Sequence, residues 1–492
     1  MERPDTQAGR HLNRLDTVKE KLDKVSPSFC LAKWNQVTIH LNSGTCHSCH
    51  HCIPHKINLE EIKNNPSALH NTSYKKEMRK KMLNGERPKE CDFCWRVEDL
   101  KNPDVFSDRV KKSASKWNDN TIETIPQMPW DADVIPKYIE LDFSAACNFK
   151  CLYCSPAYST TWSKEIREHG PIYSGVFTIN SMRAIKGVSM LPLEVEEDDN
   201  PYIQAFWKWF PEVVASNQLR EMRVTGGEPL LSKNTFKLID YFVEHPQPNM
   251  VFSINSNLGA PKQFIDKLID GINRLSAAKA AKRLTVYTSG EGHGQRGEYI
   301  RYGLDYKYWL SNVDRILAEC PDVEIVFMCT YNILSVTSFK DFLSDAYDLI
   351  VKYTTAESRH QPLVVSIPYL RHPEHLSAWV LDSTFLHYME ECVEFMKKRT
   401  LITKNTDKPG VKDGYIVTQS GFTEDSVQEM VRVYEVMKNA ITNGIGRVHS
   451  IVDLRRSFYQ YIDECDRRRD TSFLTLFPEM AEFYYNCKNN YP

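Results

Sequence analysis

Residues 138–154 read Tyr138-Ile-Glu-Leu-Asp-Phe143-Ser-Ala-Ala-Cys147-Asn-Phe-Lys-Cys151-Leu-Tyr-Cys154, a short apolar strand that runs straight into a C-x3-C-x2-C loop. From Lys137 onward the same kind of strand recurs, at 221–225, 250–255, 284–288, 323–330 and 363–368. Helical patterns at 233–244, 261–275, 310–318 and 338–353 lie between them. Strands that alternate with helices imply parallel, right-handed βαβ units. Six in sequence suit a partial barrel as well as a doubly wound sheet, and periodicity does not choose between the two.

The rest of the chain is read outward from this block. Its 492 residues allow two to four domains. A composition of 41% apolar and 26% charged residues excludes global disorder and fibrous architecture. A formal charge of -2, from 62 basic and 64 acidic residues, excludes the strongly basic balance of a dedicated nucleic-acid binder. No apolar run approaches a membrane span and the opening stretch is polar, so no membrane partner and a cytoplasmic location are expected. Residues 1–28 read as a flexible arm or a peripheral helix, 29–125 as a small Cys-rich domain, 137–375 as the barrel-type unit and 376–492 as a helical region without strands. The acidic run at 194–200 reads as a solvated loop.

Nine of the 14 cysteines fall between Cys30 and Cys154, too clustered for scattered core residues. In a reducing compartment such spacings point to metal ligation rather than disulfides. Cys147, Cys151 and Cys154 can hold three corners of a 4Fe-4S cluster and leave the fourth iron without a protein ligand. Structural zinc prefers four closed ligands, which a distant histidine would have to complete here.

The triplet resembles the signature of the radical S-adenosylmethionine (SAM) enzymes, Tyr153 before the third cysteine included. Thr225-Gly226-Gly227-Glu228-Pro229 is similar to the family's GGEP motif, whose backbone and acid hold the SAM amino group. The resemblance implies a partial (β/α)6 TIM-type barrel with a 4Fe-4S cluster and SAM at the C-terminal mouth of its strands. It also implies that reductive cleavage of SAM yields a 5'-deoxyadenosyl radical that abstracts hydrogen from a substrate. Asn255, Asn257, Ser289, Glu298 and Arg301 become candidates for contacting SAM, each with a bland alternative as a turn, cap or surface ion-pair residue. The run Gly292-His-Gly-Gln-Arg-Gly297 fits a dinucleotide fingerprint, but it follows the fourth strand rather than the first. Crowding around SAM explains its glycines more simply.

Upstream, Cys30, Gly44 and Cys49, then Cys91-Asp-Phe-Cys94, resemble the auxiliary-cluster domains called SPASM and twitch, although such domains usually follow the barrel. The resemblance implies that Cys30, Cys49, Cys91 and Cys94 hold a second 4Fe-4S cluster, while a four-thiolate zinc site suits the same spacing. Cys46 and Cys52 are surplus, and Cys46 could replace Cys30. His47, His50, His51 and His55 are expected in surface or supporting roles. The basic helix with Lys75, Lys76, Arg79, Lys80 and Lys81 is expected to be a solvated face. The resemblance implies a reducing partner such as a flavodoxin or ferredoxin and a peptide or protein substrate. The alternatives are a sugar, nucleotide or other small metabolite, or, from another class, a Cys-rich zinc protein that binds nucleic acid.

Overall fold

The computed structural model describes residues 7–118, 121–174, 177–179, 188–355, 361–405 and 415–489. Its centre is a nine-stranded sheet built from β1 (Gln36–His40), β2 (Thr45–His47), β3 (His55–Lys56), β4 (Tyr138–Asp142), β5 (Glu221–Thr225), β6 (Gln247–Ser256), β7 (Ala281–Ser289), β8 (Val323–Met328) and β9 (Leu363–Ser366). The spatial order is β9-β8-β7-β6-β5-β4-β1-β2-β3. From β9 to β1 all neighbours are parallel, while β2 and β3 are antiparallel additions. All six strands expected from the sequence are present.

Strand order bears on what periodicity left open. A doubly wound sheet reverses its order at a switch point. Here β4 to β9 follow one another without reversal, so successive right-handed crossovers wind in one direction. Side-chain alternation agrees. Ile139, Leu141, Met222, Val224, Phe252, Ile254 and Val286 are buried in the main apolar core. The opposite face is polar: Arg223 Nε donates to Asn255 Oδ1 at 2.9 Å, its guanidinium lies 4.3 Å from the Tyr287 ring centroid, and Tyr138 donates to Glu140 at 2.8 Å. A parallel sheet covered by helices on both faces would be apolar on both.

The helices between strands form because apolar positions recur at helical spacing and polar residues cap them. Lys233–Glu244 starts at Ser232, whose side chain accepts from Asn234 N, and Tyr306–Glu319 starts at Asp305, which accepts from Tyr308 N. The acidic run is exposed at 194–196 and at 198–199, as expected of a solvated loop. Its one anchor is Glu197, which accepts hydrogen bonds from Ser232 and Asn234 at 2.7 Å each at a helix N-terminus.

Of the two readings of the opening stretch, the described residues form the helix: Gln7–Val25 is helical, and its Leu15 and Leu22 are buried in a second apolar cluster with Phe29, Trp34, Met82 and Trp95. Two expectations are corrected. The basic helix Ser73–Leu83 turns two of its cations inward. Lys75 donates to the Gln36 carbonyl at 2.9 Å and Arg79 donates to the Lys33 carbonyl and to Asn71. After residue 376 the strands do not stop, since Ile402–Asn405 and Tyr415–Gln419 form a hairpin. The Cys-rich region shares the main sheet through β1, because Val37 pairs with Ile139 in parallel register. No helix among the described residues is long and apolar enough to cross a membrane.

Packing of the first helix is testable. Leu22→Ala should lower the free energy of urea unfolding by about 2–5 kcal/mol, as for a buried leucine that leaves a cavity. No change would mean that the helix does not pack.

Candidate functional site

The C-terminal end of β4 carries the cysteine loop, and the C-terminal end of β5 carries Gly226-Gly227-Glu228-Pro229. The two loops meet through backbone. Gly227 N donates to the Ser144 carbonyl at 3.1 Å and Glu228 N to the Ala146 carbonyl at 2.7 Å. A Cβ at Gly227 would stand 2.4 Å from the Ala146 oxygen and 2.6 Å from that of Ala145, and Gly226 has φ +129°. Only glycine permits this approach. Pro229, buried, begins the short helical turn Pro229–Leu231.

Glu228 turns inward. Its carboxylate accepts from Leu230 N at 3.1 Å, Ser256 Oγ at 2.8 Å and Asn257 N at 2.6 Å, which ties the end of β6 to the glycine loop. Burial with no cation beside it raises its pKa from 4.5 to about 7, the three donors only partly offsetting the lost solvation. Asn257 in turn donates to Asn148 Oδ1 at 2.9 Å and lies 3.9 Å from Cys147 Sγ, while Asn148 donates to the Gly259 carbonyl at 2.8 Å.

The other side of the loop is held by charge. Lys150–Cys151 pairs antiparallel with Arg301–Tyr302, and Arg301 Nη1 lies 3.6 Å from Cys151 Sγ. Arg301 also donates to Glu291 Oε2 at 2.7 Å, and Tyr153 donates to Glu291 Oε1 at 2.9 Å. Burial opposes the Arg301 charge, yet Glu291, Tyr153 and Cys151 hold its pKa well above the ordinary value. From the C-terminal region, Tyr461 donates to the Leu152 carbonyl and Arg469 pairs with Glu165, which also binds Lys150. Burial pushes the Cys147 thiol up to about 12 and raises those of Cys151 and Cys154 as well. One buried thiol, Cys151, and two half-buried ones, Cys147 and Cys154, beside a fixed cation fit a group that brings positive charge of its own.

The sequence candidates therefore divide. Cys147, Cys151, Cys154, Tyr153, Gly226, Gly227, Asn257 and Arg301 are brought together. Glu298 is not, because it accepts from Tyr306 N at 3.0 Å as a helix cap. Asn255 faces Arg223 on the polar sheet face, and Ser289 ends β7 opposite Met328. Glu291 was missed, since a lone acid within a glycine-rich run carries no spacing signal of its own.

In the Cys-rich region five thiols, Cys30, Cys49, Cys52, Cys91 and Cys94, line one cavity. Cys52 is central, 3.5 Å from Cys49 Sγ and 3.6 Å from Cys91 Sγ. Cys46 does not line this cavity and lies 3.4 Å from His55, whereas Cys52 lines it with the other four thiols. Hydrogen bonds from Cys49 and Cys91, together with the Lys33 ammonium, hold Cys52 well below the ordinary thiol range. Thiolates on one tetrahedral zinc stand about 3.8 Å apart. Among the described residues, however, only Cys52, Glu90 and Cys91 bring three donors within 4.8 Å of one another. Five thiols are one more than either a tetrahedral zinc or a 4Fe-4S cluster takes.

No protein-family model matches the chain, and no curated protein matches it. Among solved structures it is similar to SuiB of Streptococcus suis bound to S-adenosylmethionine, at 11% identity over 74% of this chain and 68% of that chain, with a TM-score of 0.33. SuiB bound to precursor peptide SuiA gives 9% identity, 84% and 77% coverage and a TM-score of 0.33. The FeFe-hydrogenase maturase HydG from Carboxydothermus hydrogenoformans gives 12% identity, 98% and 99% coverage and a TM-score of 0.27. Backbones this far from superposition leave the reading of the site to its own geometry.

Two measurements check this geometry. Gly227→Ala should cost about 3 kcal/mol of stability, because backbone oxygens cannot move aside as a side chain could. Glu228 binds more protons folded than unfolded between its ordinary value of 4.5 and about 7. Its contribution is therefore full below pH 4.5 and is lost as the pH rises through about 7, a span of about 3 kcal/mol. Glu228→Gln lowers stability overall, since an amide N–H replaces an acceptor, but urea unfolding should no longer fall with pH across that window.

Proposed function

We propose that the chain is a radical SAM enzyme, with Cys147, Cys151 and Cys154 as the ligands of a 4Fe-4S cluster. The observation that carries this reading is the meeting of the cysteine loop and the Gly226-Gly227 loop, residues distant in sequence, at the same end of adjacent parallel strands. Active sites of βα barrels lie at that end. The winding of β4 to β9 in one direction supports the partial barrel.

When bound, a cluster with SAM on its open iron supplies a 5'-deoxyadenosyl radical that can abstract hydrogen from an unactivated position. The chain's own residues hold and orient. Arg301 offsets thiolate charge at Cys151, and Glu291 fixes Arg301 and Tyr153 relative to each other. Gly226 and Gly227 keep the mouth of β5 free of side chains where the SAM amino group is to be received. Glu228 is a positioning residue for Ser256 and Asn257 rather than a free acid. Tyr461 and Arg469 lock the loop from behind, which gives the C-terminal region a part in the site.

The five-thiol ring is the auxiliary site of this reading, with a second 4Fe-4S cluster held by four of its cysteines. Lys33, ion-paired with Glu90 and 4.0 Å from Cys52 Sγ, offsets the thiolate charge there. A reduced flavodoxin or ferredoxin is the electron donor. The substrate is a peptide or protein, and the polar face carrying Glu140, Arg223, Asn255 and Tyr287 offers the hydrogen-bonding groups that an amide backbone needs.

Anaerobically reconstituted protein with dithionite should form 5'-deoxyadenosine from SAM, and Cys151→Ala should abolish this. Full activity of that variant, or a colourless zinc-loaded wild type, would overturn the assignment. Cys91→Ala with Cys94→Ala should keep about four iron atoms per chain, the content of one cubane. Unchanged iron would remove the thiol ring from the reading.

A further inference from the structure

A cavity of about 280 Å3 opens beside Gly226, at the junction of β1, β4 and β5. His40, His47 and His50 face it, together with Glu140, Asp142 and Tyr158, and the function proposed above uses none of the three histidines. His40 ends β1 and His47 ends β2. The antiparallel register sets Thr38 opposite His47, so the two imidazoles stand side by side with ring centroids 5.2 Å apart.

Each ring is fixed through its Nδ1. That of His40 lies 2.5 Å from Asp142 Oδ2, and that of His47 lies 2.7 Å from the Cys49 carbonyl oxygen. Both partners are acceptors, so each Nδ1 carries a proton, and neutral rings then present bare Nε2 lone pairs. Those two Nε2 atoms are 3.2 Å apart, and both residues are only 8% exposed. Two imidazole nitrogens on one tetrahedral ion, each at about 2.0–2.1 Å, stand about 3.3 Å apart. Metal-bound histidines almost always donate their other N–H to a carboxylate or a backbone carbonyl. This pair has one of each.

We propose that His40 and His47 bind a divalent transition ion, zinc in the first instance, through their Nε2 atoms, with its remaining positions open to the cavity. No third donor atom from Cys, Asp, Glu or His among the described residues lies close enough to complete a compact set with these two. An open position is the mark of a site that receives water or substrate rather than a structural one. The exogenous ligand it takes is an oxygen donor, a carboxylate or an amide carbonyl. The buried anions Asp142 and Glu140 offset the charge of the ion. His50, with its ring 6.3 Å from that of His47 and its Nε2 3.8 Å from Glu140, stands at the rim. The site is distinct from the thiol ring in donor type, since imidazoles rather than soft sulfur select the metal here.

The rival arrangement is a direct hydrogen bond between the rings, which makes His40 an imidazolium and leaves no place for a metal. Zinc titration of the anaerobically purified full chain, its thiol sites keeping the metal they already hold, followed by zinc K-edge absorption of the added ion, separates the two. One zinc equivalent with a nitrogen and oxygen shell at about 2.0–2.1 Å supports the proposal, whereas no uptake, or a shell of sulfur alone at about 2.3 Å, overturns it. His40→Gln and His47→Gln should each weaken this zinc binding at least tenfold while the iron content stays unchanged. Equal zinc affinity in both variants also overturns it. If a variant fails to fold, the wild-type absorption shell decides by itself. The zinc readout does not depend on SAM cleavage, so its failure and a failure of the radical SAM reading are separate results.

Discussion

Two backbone hydrogen bonds, from Gly227 N to the Ser144 carbonyl and from Glu228 N to the Ala146 carbonyl, join the loops on which everything at the strand ends depends. They exist because positions 226 and 227 have no side chains to hold the backbones apart. Through Glu228 the same contact reaches Ser256 and Asn257, and through Asn257 it reaches Asn148 beside Cys147. Three consecutive parallel strands are thus locked at one end by hydrogen bonds, and the cysteine loop inherits its position from them.

Around that contact the site is built from opposed charges in low dielectric. Arg301 would be costly to bury alone, but Glu291 sits 2.7 Å away and Tyr153 completes the acid's hydrogen bonds. The thiol ring repeats the device with Lys33 and Glu90. Both centres combine buried sulfur, one fixed cation and one fixed anion. This limits the unpaired charge that either would carry with its thiols deprotonated.

The Cys-rich region is less independent than a small domain placed before a barrel would be. It keeps an apolar cluster of its own around Phe29, Trp34 and Trp95, yet β1 lies in parallel register against β4. That pairing puts His40 against Asp142 and lets His47 and His50 of the Cys-rich region line one polar cavity with Tyr158 and Gly226. Lys75 and Arg79 fasten the same region by filling carbonyl acceptors at Gln36 and Lys33, while Lys80 of the same helix stays on the exposed face.

By itself the sequence determined the elements and the chemistry-bearing motifs. The six strands, helices such as Lys233–Glu244 and Ser73–Leu83, the cysteine triplet and the glycine pair were legible because each is written in local periodicity or spacing. Tertiary structure alone decided the rest: the direction of winding, the place of Cys52 rather than Cys46 in the thiol ring, the use of Glu298 as a cap, and the partnership of Arg301 with Glu291 ten residues away. The physical reason is that these outcomes rest on which strand lies beside which and which way each side chain then points. A lone glutamate or histidine has no period, and its role appears only when another element supplies its partner, as β4 supplies Asp142 to His40.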